Sequence, residues 1–369
     1  MPVLVRLAES RDGGEVAEIY RPAVVERATS FELVAPSPVV MSTRIADCIE
    51  RLPWLVAVEH DRILGYAYAS AHRARPAYQW SADVSAYVHG AVHRRGIGRA
   101  LYEALFRVLV LQGYVNAYAG ITIPNDASEG FHRRMGFSPV GVYHSVGYKL
   151  GAWHDVAWFE RPLAPRAIDP LFPVPLAALR ETTLVQSVLR GEQCPRLRLA
   201  NAADVPALAA LMNASVRGLS TGFYSNAQVD SALAHLLGTD TQLITDRTYY
   251  VAEVDNEIVA AGGWSKRLTL HGGDQAKHGP DPVIDPTVEP ARLRAFFVHP
   301  HWARRGLATW LFHQCSIAAR AAGFSAFELT ATLPGEPLYA ALGFEVIERG
   351  TVPLADGLEL GTVRMRRPL

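Results

Sequence analysis

The sequence predicts two successive α+β domains of one fold, each a mixed central sheet flanked by helices. Three observations carry this expectation. The 369-residue chain has room for two domains at roughly 150 residues each. A set of landmarks occurs twice in the same order. Each set centres on a strand that runs into an Arg-Arg-Gly turn and then into an amphipathic helix.

The repeat is read from fixed offsets. Tyr87-Val88-His89 leads into His93-Arg94-Arg95-Gly96-Ile97-Gly98, and Phe297-Val298-His299-Pro300 leads into Ala303-Arg304-Arg305-Gly306-Leu307-Ala308. Gly96 and Gly306 are 210 residues apart, as are Gly113-Tyr114 and Gly323-Phe324. Met135-Gly136-Phe137 and Leu342-Gly343-Phe344 are 207 apart, and Arg6-Leu7-Ala8 and Arg198-Leu199-Ala200 are 192 apart. Both units end in Arg-Pro-Leu, at 161–163 and 367–369. The expected domains are therefore 1–163 and 196–369, with 164–195 between them. Pro162, Pro165, Pro170, Pro173 and Pro175 make that stretch stiff and extended rather than helical. Leu176–Leu189 reads as weakly helical, either a brace across the two domains or plain linker.

Trp54–Glu59 and Ile63–Ser70 read as a hairpin, repeated by Tyr249–Glu253 and Ile258–Trp264 across Asp255-Asn256. Ser81–Val88 alternates with period two, so Asp83, Ser85 and Tyr87 share one face. Ile97, Leu101, Ala104, Leu105 and Val108 recur at helical spacing, as do Leu307, Leu311, Cys315, Ala318 and Ala322. Gly113 and Gly323 suit left-handed helix ends. Val115–Ile121 and Ala326–Ala331 read as the next strands, each followed by a short helix and further strands. From Arg6 to Gly96 is 90 residues, and from Arg198 to Gly306 is 108. The excess lies mainly in the Gly/Pro/His-rich segment Leu270–Glu289, expected to be a mobile loop near the second site.

Composition narrows the function classes. Basic and acidic side chains balance at 36 each, which gives no whole-chain attraction to nucleic acid or anionic lipid. No apolar run reaches the ~18 residues of a membrane span. Arg6 and Glu9 interrupt the N-terminus, so no secretory signal is expected. Cys48, Cys194 and Cys315 are too few and scattered for a disulfide framework, which points to a reducing, cytoplasmic setting. His144, His154 and the other histidines lack metal-ligand spacing, so no metal is expected.

The glycine loop is an anion cradle. A helix's first turn has free N–H groups at the positive end of its dipole. Glycine lets the backbone approach a phosphate closely, and successive amides form a nest. Arg94, Arg95 and Arg99, and Arg304 and Arg305, add charge. No Gly-Lys-Ser/Thr follows and the third glycine of a dinucleotide fingerprint is missing, so the expected ligand is a diphosphate of another kind.

These residues resemble the GNAT superfamily of acetyl-CoA-dependent N-acetyltransferases, whose loop reads (Arg/Gln)-x-x-Gly-x-(Gly/Ala) after a bulged strand. The first unit is similar to the branch acting on phosphinothricin and on methionine sulfone and sulfoximine. The segments that match are Pro53-Trp54-Leu55-Val56-Ala57, Ala74-Arg75-x-Ala77-Tyr78-x-Trp80, Tyr87-Val88, Pro124-Asn125-Asp126 and Gly147-Tyr148-Lys149-x-Gly151-x-Trp153-His154-Asp155-Val156. The second unit resembles the superfamily only in its core motif and its Leu-Gly-Phe close.

The resemblance implies acetyl-CoA as co-substrate. Its contacts would be Ala86, Tyr87, Val88, His93, Arg94, Arg95, Gly96, Ile97, Gly98, Arg99, Asn125 and Ser128 in the first unit. In the second they would be Phe297, Val298, Arg304, Arg305, Gly306, Leu307, Ala308 and Thr309. It implies Asp83 as base, His132 as acid or base, and Tyr339, four residues before Gly343 as His132 is before Gly136, as acid toward the thiolate. It assigns Phe31, Arg73, Arg75 and Tyr78 to the acceptor pocket, where arginine suits a carboxylate. Backbone N–H groups near Tyr87-Val88, aimed by a bulge, would polarise the thioester carbonyl.

The sequence departs from the pattern at several points. His93 and Ala303 replace the first Arg or Gln, and Asp83 replaces a glutamate, which suggests action through a water or a raised pKa. Thr332 stands where Asn125 stands, and the 210 offset places Leu293 at the position of Asp83. The function expected is acetylation of the primary amine of a small amino-acid-like compound. Aminoglycoside or polyamine acetylation, and a C-terminal half that is an inactive CoA-binding or structural module, stand as alternatives. Either a homodimer or an intramolecular pseudo-dimer of the two domains would fit.

Overall fold

A computed structural model describes residues 3–193, 195–270, 273–274 and 281–369. The chain divides into two compact units, residues 1–181 with 185–194, and 182–184 with 195–369.

In the first unit β1 (Leu4–Leu7) leads to α1 (Gly13–Val25) and α2 (Pro38–Ile49). The opening arginine of the repeat earns its place here. The Arg6 guanidinium donates to both carboxylate oxygens of Asp12 at 2.7 and 2.8 Å, and Asp12 also accepts the Glu9 N–H. The α2 start has Ser37 accepting the Val40 N–H and Pro38 in the first turn. The strands β2 (Trp54–Glu59) and β3 (Arg62–Ala71) form a hairpin. Its turn residues His60 and Asp61 both take positive φ, the conformation that suits a two-residue hairpin turn. Then come β4 (Ser81–Val88), α3 (Ile97–Gln112), β5 (Asn116–Ile123), α4 (Asp126–Arg134), β6 (Ser138–Lys149) and β7 (Ala152–Pro162). The α3 helix ends at Gly113, with φ 100°. It buries Leu101, Leu105, Val108 and Leu109 completely, each such side chain contributing about 1.5–3 kcal/mol. On the opposite face α1 and α2 cover Trp54, Val56 and Tyr66.

The strand order is β1-β2-β3-β4-β5-β7-β6, and one seam in it positions everything that follows. β4 pairs antiparallel with β3 without a break from Gly65↔Val88 to Ala71↔Ala82. It pairs parallel with β5 only at Ser81↔Asn116, Ala82↔Ala117 and Asp83↔Tyr118. Beyond Asp83 the two strands part, and β5 continues along β7 as far as Ile123↔Asp155. The parted end is where α3 and α4 begin.

After β7, a single turn at Leu176–Ala178 and α5 (Thr183–Leu189) precede β8 (Arg196–Leu199), so the expected helix over Leu176–Leu189 is confined to its second half. The second unit continues with α6 (Val205–Leu219), α7 (Asn226–His235), α8 (Thr241–Thr245), β9 (Tyr249–Val254), β10 (Glu257–Ser265), β11 (Ala291–Val298), α9 (Leu307–Ala321), β12 (Ala326–Thr332), α10 (Glu336–Ala341), β13 (Glu345–Pro353) and β14 (Glu359–Pro368). Its strand order, β8-β9-β10-β11-β12-β14-β13, repeats the first sheet position for position. Its parallel seam holds only Ala291↔Phe327 and Arg292↔Glu328. Part of the Leu270–Glu289 segment, residues 271–272 and 275–280, lies outside the described residues.

Two expectations are corrected by register. The bulge expected near Tyr87-Val88 is absent from the β3–β4 pairing. It lies instead in the second unit, where the register skips between Ala261 and Gly263 and Ala295 takes φ 55°. A bulge adds one residue to a strand, so the counterpart of Asp83 is not Leu293. Ser70 faces Asp83 in the first sheet and Ser265 faces Arg292 in the second. The position is therefore held by Arg292.

The Arg6–Asp12 fork recurs as Arg198 to Asp204, at 2.7 and 2.9 Å. Arg198 holds the Asp204 carboxyl below its ordinary value of 3.8. That stabilisation is present above pH 3.8 and is lost as pH falls through the depressed folded value. Asp204→Asn should cost about 1.5–3 kcal/mol at neutral pH, nearer the lower figure because Arg198 is partly screened by solvent. Denaturant titrations should show the gap between wild type and variant closing below pH 3.8.

Candidate active site

The first unit's loop is an open cradle. Arg94 and Gly96 both take positive φ, 62° and 81°. The first intrahelical bond runs from the Ala100 N–H to the Gly96 carbonyl, so the amides of Ile97, Gly98 and Arg99 precede it without helical acceptors. A Cβ added at Gly96 would meet nothing within 4 Å. Ile97 buries its side chain in the core and offers only its amide. His93 closes the loop back onto β4, its Nε2 3.0 Å from the Val88 carbonyl. Arg95 and Arg99 pair with Glu59 and Glu103 on the exposed surface, at 2.8 and 2.7 Å.

Alternation decides which β4 groups face the seam. The His89 N–H bonds the Leu64 carbonyl. Residues 87, 85 and 83 therefore turn their main chain toward β3, and Val84, Ala86 and Val88 turn theirs toward the parted seam. Tyr87 contributes a side chain packed against Tyr20 and Tyr66.

At the zipped end of the seam stands a cluster the sequence did not announce. Asp83 Oδ1 lies 2.6 Å from His72 Nδ1. The His72 ring stacks on Tyr118 with centroids 4.2 Å apart and makes T-shaped contacts with Tyr78 and Trp158 at 6.0 and 6.1 Å. Arg73 donates to the His72 carbonyl and lies over the Trp158 ring. Burial pushes the Asp83 carboxyl above its ordinary value, against the opposing pull of His72 and Arg73. Of the four expected pocket residues, Arg73 and Tyr78 join this cluster. Phe31 packs elsewhere, against Gly147 and 6.3 Å from His154. Arg75 is exposed ahead of the turn that carries Tyr78.

His132 is buried between α3 and α4. Its Nδ1 lies 2.8 Å from the Ser128 carbonyl, which fixes the proton there, and its Nε2 accepts from the Tyr102 hydroxyl at 3.1 Å. The Tyr102 oxygen also lies 3.5 Å from the Val84 carbonyl oxygen at the seam, a second acceptor for the same single proton. Asn125 caps α4 by accepting the Ser128 N–H.

The second unit repeats this frame with its groups already engaged. Arg304 and Gly306 keep the positive φ values, 63° and 94°, and Leu307 is buried as Ile97 is. Thr182, however, packs against Gly306, so an added Cβ would fall 2.5 Å from it, and Thr183 donates to the Arg305 carbonyl. Arg305 itself lies over Trp302. The Val298 N–H is taken by Ser215. Phe297 packs into the apolar cluster beneath β11. Ala308 and Thr309 are half-buried in the first turn of α9. Arg292 and Glu328, both buried, pair at 3.7 Å, and Arg364 adds a second bond to Glu328 at 2.6 Å. Tyr339 sits between Phe296 and Phe344, and burial pushes its hydroxyl pKa well up.

A family model described as Acetyltransferase (GNAT) domain matches residues 5–158, and a second of the same description matches residues 245–346. The phosphinothricin N-acetyltransferase of Streptomyces coelicolor is 42% identical over 144 residues, covering 35% of this chain and 84% of its own length. The chain belongs to the GNAT acetyltransferases. Another relative, the L-methionine sulfoximine/L-methionine sulfone acetyltransferase of Salmonella typhimurium, is 28% identical over 44% of this chain and 96% of that protein. A solved phosphinothricin acetyltransferase from Sinorhizobium meliloti in complex with AcCoA is 32% identical, covers 46% of this chain and 94% of that one, and superposes with a TM-score of 0.44. As a GNAT protein the chain is an N-acetyltransferase with two such domains. No helix among the described residues is long and apolar enough to cross a membrane.

The His132 network makes a measurable claim. Burial holds His132 below its ordinary pKa of 6.5, with the Ser128 carbonyl opposing. The unfolded chain then binds the proton more readily, so stability is full above pH 6.5 and falls as pH drops below it. Denaturation midpoints of wild type should decline from pH 6.5 toward about pH 5. His132→Gln should flatten that slope.

Proposed function

We propose that the first unit transfers the acetyl group of acetyl-CoA to the primary amine of a small amino-acid-like acceptor of the phosphinothricin, methionine sulfone or methionine sulfoximine type, in a cytoplasmic setting. The observation that carries this reading is the single parted seam. One end of it is an open cradle of helix amides at Gly96, and the other is the Asp83 cluster.

The residues divide the work. The amides of Ile97, Gly98 and Arg99 would hold the coenzyme's diphosphate at the positive end of α3. Ala86 and Val88 would line the pantetheine arm, with a seam-facing N–H to polarise the thioester carbonyl. His132 has both ring nitrogens engaged and its partner Tyr102 stands beside the seam, which suits the pair to the leaving thiolate's side rather than to collecting the amine proton. Arg73, fixed over Trp158 beside Asp83, favours an acceptor that carries a carboxylate. A polyamine or aminoglycoside would need acidic groups where this arginine stands.

The second unit, on this reading, carries no reaction of its own. Three of its features support that: Thr182 against the Gly306 cradle, Ser215 on the Val298 N–H, and a buried Arg292–Glu328 ion pair, joined by the exposed Arg364, at the acceptor end. Breaking such a cluster to admit a substrate would strand buried charge.

The test is thiol release from acetyl-CoA against a panel of acceptors. Methionine sulfone, methionine sulfoximine and phosphinothricin should be turned over. Asp83→Asn should lower the rate by about 10²–10⁴-fold, while Tyr339→Phe should run at the wild-type rate. Preferential turnover of spermidine or an aminoglycoside, or loss of activity in Tyr339→Phe alone, would overturn the reading.

A further inference from the structure

We propose that His72 takes the proton from the acceptor amine, and that Asp83 acts behind it as a positioning residue. This rests on the acetyl-transfer reading of the first unit and assigns its proton-accepting group.

The geometry separates the two roles. With Asp83 Oδ1 at 2.6 Å, the His72 proton sits on Nδ1 and Nε2 carries the basic lone pair. Among the described residues Nε2 makes no hydrogen bond, whereas His132 has both ring nitrogens engaged. The imidazole plane is held by its stack on Tyr118 and by the edge contacts to Tyr78 and Trp158. The ring therefore points its free nitrogen in one direction without a further hydrogen bond to hold it. Asp83 is a short side chain with one oxygen already committed to that ring. The imidazole carries the basic lone pair a ring's width beyond the Asp83 oxygen it bonds. The arrangement also offers the ammonium an imidazole in place of a carboxylate, and imidazole is the more basic of the two side-chain types.

The charged and titratable groups facing His72 are Asp83 on β4, Arg73 beside it, Tyr78 on the following turn and Tyr118 on β5, with Glu160 behind Tyr118. Asp83 is the one in hydrogen-bond contact with the imidazole, and it favours the protonated ring that forms after proton transfer.

The step balances as follows. The acceptor ammonium gives one proton to His72 Nε2. The freed amine pair attacks the thioester carbonyl carbon, the carbon–sulfur bond breaks, and the sulfur keeps that electron pair. The second nitrogen proton ends on the thiolate, giving amide and free thiol, and His72 returns its proton to solvent.

Two measurements test this. The first needs no substrate: nitrogen NMR of histidine-labelled full-length protein should find His72 as the Nδ1–H tautomer, and Asp83→Asn should disturb it. An Nε2–H tautomer overturns the proposal. The second is the pH profile of kcat/KM. His72→Ala and His72→Gln should lose about 10²–10⁴-fold in kcat, with acceptor KM little changed and acetyl-CoA affinity kept as a folding control. Both should lose the pH dependence of the wild-type rate, and added imidazole should restore part of the His72→Ala rate. The double variant with Asp83→Asn should be no slower than His72→Ala, because the pair acts as a unit. An active wild type whose rate and pH profile survive His72→Ala overturns the His72 assignment alone. A wild type inert toward every acceptor overturns the acetyl-transfer reading and this proposal with it.

Discussion

Each sheet is fastened at one end of a single parallel seam and open at the other. Three residue pairs join β4 to β5 and two join β11 to β12, and past them the strands diverge. The rest follows from that short fastening. Divergence leaves the main-chain groups of Ala86 and Val88 without a strand partner on the seam side. It also brings the start of α3, with its unpaired amides, to the open end. A continuous parallel ladder would have paired those groups and left no place between the strands for a long, thin ligand.

The two units use one frame to opposite ends. Both keep the Arg–Asp fork, the hairpin, the left-handed Arg and Gly of the loop, and the strand order. They part through small changes. One extra residue at Ala295 shifts the strand so that Arg292 arrives where Asp83 would be. Register then sets Glu328 where Tyr118 stands and Arg364 where Trp158 stands. An aromatic-walled site with one carboxylate becomes a buried Arg292–Glu328 ion pair with Arg364 on its exposed side, which specifies structure more readily than it admits a ligand. Thr182 against Gly306 completes the change at the other end of the seam.

Much of the frame was legible because it depends on local chemistry. Gly113 and Gly323 read as left-handed helix ends, and both take positive φ. Period-two and period-3.6 patterns located β4 and α3 to within a residue or two. The site was less legible because it depends on register. His72 and Asp83 are eleven residues apart and meet only through the β3–β4 pairing, and Tyr118 joins them across the parallel seam. No spacing rule flags that trio. The Leu293 assignment failed for the same reason: a constant offset cannot see an inserted bulge residue. The sequence singles out His132 by its place before Gly136, yet its two hydrogen bonds, which decide what it can do, come from Ser128 and from Tyr102 on a different helix.

The central claim is that one open cradle serves a chain with two copies of the loop. Calorimetric titration of the intact protein with acetyl-CoA tests it most directly. The account requires one molecule bound per chain, with the heat abolished by Gly96→Val. Two molecules per chain, or binding that survives Gly96→Val, would contradict it.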